Sequence, residues 1–166
     1  MNSKLFTRPL HLDDAERILE VYRQCEDFLA LGPVPHASLE MVLMDLHHSL
    51  DGGRNFVGVY LLENSIEKLV GVVDYQTAGF EGSLETAFIE LLMIAFPYRS
   101  KGIGTEIVQR VETEIRNHKQ VNTIQSGVQA NNPIGIRFWT KMGYQIVCGP
   151  ELMPDQTIAY RIEKSI

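Results

Sequence analysis

Arg99, Ser100, Lys101, Gly102, Ile103 and Gly104 bring two cations and two glycines to one point of the chain. An apolar run from Phe88 to Phe96 precedes them and reads as a buried strand, and Thr105 to His118 follows as an amphipathic helix. A strand that enters a helix through such a loop is suited to hold phosphate. The first amides of a helix lack intrahelical acceptors and sit at the positive end of its dipole. Glycine lets the backbone approach an anion with no Cβ between them. Arg99 and Lys101 add charge, and Thr105 offers a hydroxyl. The chemistry expected is capture of a phosphorylated ligand.

Glu90 is the second chemical signal. It stands inside the apolar strand, where a carboxylate is unexpected. Desolvation there would raise its pKa toward that of a general base. The competing reading is a solvated or Arg-paired structural glutamate. Asp74 and Tyr75, on the preceding strand, are second-rank candidates for the same work.

Two other phosphate-binding patterns fit poorly. No Gly-x4-Gly-Lys-Ser/Thr is present, which excludes a Walker loop. Gly102 and Gly104 weakly suggest a dinucleotide fingerprint, but Ile107 stands where its third glycine belongs, and Val121 to Val128 ends without the acidic residue a ribose needs. A nicotinamide or flavin oxidoreductase is therefore the weakest of the enzymatic readings.

The elements that must position these residues follow from periodicity and turn signals. Lys4 to Arg8 reads as a strand stopped by Pro9. Asp13 reads as an N-cap with Glu16 as its capping-box partner, opening a helix through Ala15, Ile18, Leu19, Tyr22, Cys25 and Leu29. Gly32 to His36 is a rigid loop, and Ser38 opens a second helix that ends at Asp51-Gly52-Gly53. Asn55–Leu62 and Lys68–Gln76 read as a hairpin, Gly79–Gly82 as a turn and Glu85–Phe96 as the long strand. After the helix behind Gly104 comes a strand, Val121–Val128. Asn132 then caps a helix with Pro133 in its first turn and Gly143 as its left-handed stop. Tyr144–Cys148 and Gln156–Arg161 close the chain as two strands around Gly149-Pro150. The order is β-α-α-β-β-β-α-β-α-β-β, an α/β (α+β) layer structure with a mixed sheet of about seven strands.

Length and composition bound the class. At 166 residues, with 45% apolar and 22% charged residues, the chain reads as one globular domain over 1–166. A net charge of −6 argues against a nucleic-acid partner. Cys25 and Cys148 form neither a disulfide framework nor a zinc spacing, so no metal is expected. No apolar stretch reaches the roughly 18 residues of a membrane span, and no signal peptide is seen. A cytoplasmic protein with no membrane partner is expected.

Two motifs make this chain similar to the GNAT family of N-acetyltransferases, which move an acetyl group from acetyl-CoA to an amine. The first is Ile89 to Gly104, a strand followed by Arg-x-x-Gly-x-Gly; the second is Asn132 to Tyr144, with its Asn, aromatic, Lys and Gly-aromatic ending. The resemblance implies a mostly antiparallel sheet with helices on both faces. It implies that the CoA diphosphate sits on Arg99 to Gly104 and Thr105, and that backbone groups of Leu92, Met93 and Ile94 pair with the pantetheine arm like an added strand. Asn132 reads either as a plain N-cap or as an N-cap that also touches that arm. Trp139 occupies the place where many members carry an acidic tyrosine, and it reads as packing beside CoA; Tyr75 and Tyr144 are left as candidate acids. Phe28, Leu31, Pro33 and His36 are candidates for the amine side. The acceptor is a small molecule or protein carrying a primary amine, and a homodimer is compatible with the family. A non-catalytic acyl-CoA sensor on the same fold is the alternative that Trp139 motivates.

Overall fold

The computed structural model describes residues 4–166. Strand β1 (Lys4–Pro9) leads through a 3-10 turn at Leu12–Asp14 into α1 (Ala15–Arg23), α2 (Glu26–Leu29) and α3 (Leu39–Asp51). Three antiparallel strands come next: β2 (Asn55–Glu63), β3 (Ile66–Gln76) and β4 (Thr86–Ile94). A 3-10 turn at Phe96–Tyr98 precedes α4 (Ile103–Ile115), then come β5 (Thr123–Gln129), α5 (Pro133–Lys141), β6 (Gln145–Leu152) and β7 (Ile158–Ser165). The sheet order is β1-β2-β3-β4-β5-β7-β6, and only β4 and β5 pair in parallel. This is the expected mixed, mostly antiparallel architecture.

Each face of the sheet carries a core because the central strands alternate apolar side chains to both sides. Val59, Val73, Ile89 and Ile124 meet Ile107, Val108, Val111 and Ile115 of α4. Tyr60, Val72 and Met93 meet Ile18, Leu19, Tyr22, Val42 and Leu46 of α1 and α3 on the other face. β6 is the outer edge strand and is exposed along its whole length.

Two irregularities in β4 interrupt the sheet near Glu90. Asp74 of β3 pairs with Leu91 while Tyr75 pairs with Ile89, so Glu90 is the extra residue of a β-bulge. On the other side, β4 pairs with β5 only from Thr86↔Thr123 to Ile89↔Ser126. Beyond that point the two strands part. The Ser126 hydroxyl closes the vertex by donating to the Ile89 carbonyl oxygen at 2.7 Å.

Several boundaries differ from the sequence reading. The first predicted helix breaks at Gln24–Cys25. Its start is shaped by Asp14, whose Oδ2 accepts from the His11 amide at 2.9 Å, rather than by an Asp13–Glu16 box. The long strand stops at Ile94, and α4 begins at Ile103, earlier than Thr105. Gly149-Pro150 is a cis peptide within β6, and the hairpin turns instead between Met153 and Thr157. Asn132 does cap α5, accepting from the Gly135 amide at 2.8 Å, and Gly143 is left-handed (φ 92°).

Candidate active site

The gap between the diverging strands opens into a cleft of about 750 Å³. Glu90, Leu91, Leu92 and Ile94 form one lip, and Ser126 to Gln129 form the other. Asn132 and Trp139 on α5 line it, with Phe28 of α2, and it runs to the turn that starts α4. The Asn131 side-chain amide donates to the Leu31 carbonyl at 3.2 Å and ties the two walls together.

The turn before α4 has the backbone form of a cradle. Ser100 (φ 60°) and Gly102 (φ 80°) are left-handed, a backbone form that favours concave runs of amides. The amides of residues 100–105 meet no protein acceptor among the described residues, and Gly102 caps α4 without a side chain. Ser100, Gly102, Gly104 and Thr105 line the cleft, whereas the Ile103 side chain turns into the core. A Cβ on Gly104 would touch the Phe138 ring at 3.5 Å. The groups present therefore fit a diphosphate with an apolar arm.

The cations of the cradle behave differently from the sequence expectation. Arg99 forks onto Asp27 of α2, with Nη1–Oδ2 at 2.5 Å and Nη2–Oδ1 at 3.0 Å. That hydrogen bond holds the Asp27 carboxyl below the usual carboxylate range. The Nε of Arg99 donates to the Ile94 carbonyl at 2.7 Å, and the buried Cys25 thiol donates to the same oxygen at 3.5 Å. So Arg99 braces the cradle against α2 instead of lending it a free charge. The Ile94 carbonyl is likewise occupied, and the strand-like pairing expected of Leu92, Met93 and Ile94 loses that acceptor. Lys101 lies 5.4 Å from the Tyr98 ring and makes no ion pair among the described residues.

Glu90 is not desolvated. Its side chain is 48% exposed, and its Oε2 lies 2.7 Å from Nη1 of Arg54. The bulge, not burial, is what turns it to the lip. The buried carboxylate is Asp74, 3% exposed, which lies beneath Arg54 and does not line the cleft. Burial pushes Asp74 up to about 6, opposed by the hydrogen bond from the Ser49 hydroxyl at 2.7 Å and by Arg54.

Other sequence candidates fall elsewhere. Tyr75 packs on the α4 face and donates to Glu114 at 2.6 Å; Tyr144 is buried and donates to Glu112 at 3.2 Å. Burial raises both phenols well above their usual range, and neither lines the cleft, so neither is placed to act as the acid. Met93 is buried in the α1–α3 core. His36 is exposed beside Glu26 at 3.4 Å, and Pro33 lines a second hollow with Asn131 and Thr157. Trp139 is buried at the base of the cleft, edge-on to Tyr144 at 4.8 Å. Among the phenols, Tyr98 does line the cleft.

The sequence profile of the acetyltransferase (GNAT) family matches residues 15–144. The chain belongs to the GNAT acetyltransferase family. Its fold matches an acetyltransferase from Thermus thermophilus at a TM-score of 0.81, with 21% identity over 98% of this chain and 97% of that one. It matches the PaiA N-acetyltransferase of Thermoplasma acidophilum, solved in complex with coenzyme A, at 0.66, with 18% identity over 98% and 99%. It also matches a ribosomal-protein-alanine N-acetyltransferase from Brucella melitensis at 0.68, with 19% identity over 97% and 99%. None of the curated protein sequences matches the chain.

In this GNAT chain the second lip went unread in the sequence. Ser126, Gly127 and Gln129 line the cleft, yet they sit in an ordinary half-polar strand. The one available signal was a serine at a buried, strand-periodic position between Ile124 and Val128. Arg54 and Asp45, which face the carboxylates from α3 and the turn after it, carried no signal at all.

Proposed function

We propose that this protein transfers an acetyl group from acetyl-CoA to a primary amine, with Glu90 as the proton acceptor. The observation that carries the reading is a single cleft joining the uncapped amides of residues 100–105 to the Glu90 lip. The cradle amides and Thr105 would hold the diphosphate. The parted edges of β4 and β5, with Asn132 and Trp139, would hold the arm. When bound, acetyl-CoA supplies an acyl group on a good leaving thiol.

A primary amine with a pKa near 10 is mostly ammonium at neutral pH and must lose a proton before it can attack. Glu90, half-exposed at the lip, is the carboxylate able to take that proton from an amine arriving over the sheet. As the new N–C bond forms, the C–S bond breaks and the electron pair leaves on sulfur, which takes up the second proton shed by the nitrogen, so that an amide and a free thiol result. A thiol pKa of about 8.5 makes thiolate departure easy, so the site works without a tyrosine acid at position 139.

Thiol release tests this, with acetyl-CoA and a panel of spermidine, a lysine peptide, a peptide with a free α-amine and an aminoglycoside. At least one amine is expected to turn over. Glu90→Gln is expected to lower kcat by about a hundredfold while acetyl-CoA affinity stays unchanged. Tight acetyl-CoA binding with no amine turned over would favour the sensor reading instead.

A further inference from the structure

We propose that Arg54 is the positioning residue of this site: Asp74 anchors its guanidinium beneath α3, and the guanidinium fixes the Glu90 carboxylate on the lip of the cleft. This rests on the reading of Glu90 as proton acceptor. Arg54 follows α3 directly, and its amide donates to the Ser49 carbonyl at 2.8 Å. Its Nη2 donates to the His48 carbonyl at 3.4 Å. Nη1 faces two carboxylates, Glu90 at 2.7 Å and Asp74 at 3.7 Å. Asp74 is itself held by the Ser49 hydroxyl at 2.7 Å. The Arg54 side chain is only 17% exposed, so its direction is set by the fold, whereas Glu90 at 48% is free on its other sides.

An exposed glutamate samples several rotamers, and fixing it costs entropy. A planar guanidinium held through Nη2 on the His48 carbonyl and beside Asp74 at Nη1 restricts those rotamers before the acceptor arrives. It also sets the charge around the lip. Glu90 and Arg54 share their surroundings with Asp74 from β3 and with Asp45 and His48 from α3. The β5 lip, Ser126 to Gln129, carries no ionisable side chain, and Asp27 and Arg99 pair with each other where they line the cleft. Arg54 is therefore the one guanidinium shared among these carboxylates.

The test uses the full chain labelled with 13C at glutamate carboxyls, the Glu90 resonance being assigned by its loss in Glu90→Gln. In Arg54→Gln that resonance is expected to move from its parent position toward that of a free glutamate side chain at the same pH. For the panel amine that turns over fastest, kcat is expected to fall about tenfold with KM for acetyl-CoA within about twofold. Arg54→Lys keeps the charge without the fork, so kcat should fall there too while KM for acetyl-CoA again stays within about twofold. An unmoved Glu90 resonance in Arg54→Gln overturns the proposal. If that variant does not fold, an undiminished kcat in Arg54→Lys overturns it. Full activity in Glu90→Gln would instead remove Glu90 as the base, and the resonance would still report whether Arg54 holds it.

Discussion

Asp74 gives the sharpest stability test. Its carboxyl is 3% exposed, and burial raises its pKa from the ordinary 3.8 to about 6, with Ser49 and Arg54 pulling down and Glu90 and Asp45 pushing up. The folded protein therefore holds this proton more tightly than the unfolded chain does. Below about pH 4 both states are protonated, and well above 6 both are ionised. Between those limits the unfolded chain releases its proton first, so rising pH favours unfolding. A pKa gap of about 2, at about 1.4 kcal/mol for each unit of pKa, is on the order of 3 kcal/mol. That stability is present below pH 4 and is lost by the time the pH passes 6. Asp74→Asn keeps the size and an acceptor for the Ser49 hydroxyl but does not titrate. Urea unfolding of both proteins at each pH from 4 to 8 isolates the effect, because distant carboxylates cancel in the difference. The variant is expected to gain on the parent by about 3 kcal/mol as the pH rises from 4 to 7. A flat difference, or a variant that loses ground with rising pH, would mean that Arg54 and Ser49 outweigh desolvation.

Two further outcomes rest on the same kind of geometry. Glu112, 3% exposed, takes a hydrogen bond from Lys164 on each of its oxygens, at 2.9 and 2.8 Å, tying α4 to β7. Lys164→Met should cost about 3 kcal/mol in chemical unfolding because it leaves a buried carboxylate with Arg116, at 3.4 Å, as its one paired cation; Lys164→Arg should recover most of it. At Gly104 a Cβ would make ordinary contact with Phe138, but the methyls of valine would enter the cleft. Gly104→Val should weaken acetyl-CoA binding by at least about tenfold in calorimetric titration, about 1.4 kcal/mol, with an unchanged circular dichroism spectrum. Normal affinity would take the cradle out of the site.

Local features were readable before the structure. The anion cradle showed in the Gly102 and Gly104 spacing because left-handed turns and uncapped helix starts are short-range requirements. The cap at Asn132 showed for the same reason, and so did the alternation of β2 to β4. What could not be read was set by partners far along the chain. Arg99 looked free because Asp27, its partner, lies 72 residues away. The helical period ran unbroken across Gln24–Cys25, since the break buries Cys25 against Ile94 and keeps the apolar pattern intact. Glu90 is unusual in the sequence, but not for the reason its neighbours suggest. Apolar neighbours in sequence suggested burial, while the bulge turns its side chain outward.

The bulge and the cleft have one origin. β4 gains a residue against β3 at Glu90, and its pairing with β5 ends one residue earlier, at Ile89. An inserted residue bends a strand and increases its twist. A strand bent at that point keeps its ladder to β3 through Gly71↔Ile94 and can keep it to β5 only on the near side of the bend. The Ser126 hydroxyl then supplies the Ile89 carbonyl with a partner where the ladder stops. The same extra residue thus parts the main-chain edges of β4 and β5 and turns a carboxylate to the mouth of the opening. Under the proposed acyl transfer the slot and the base would share this one device, and neither could be lost without disturbing the other.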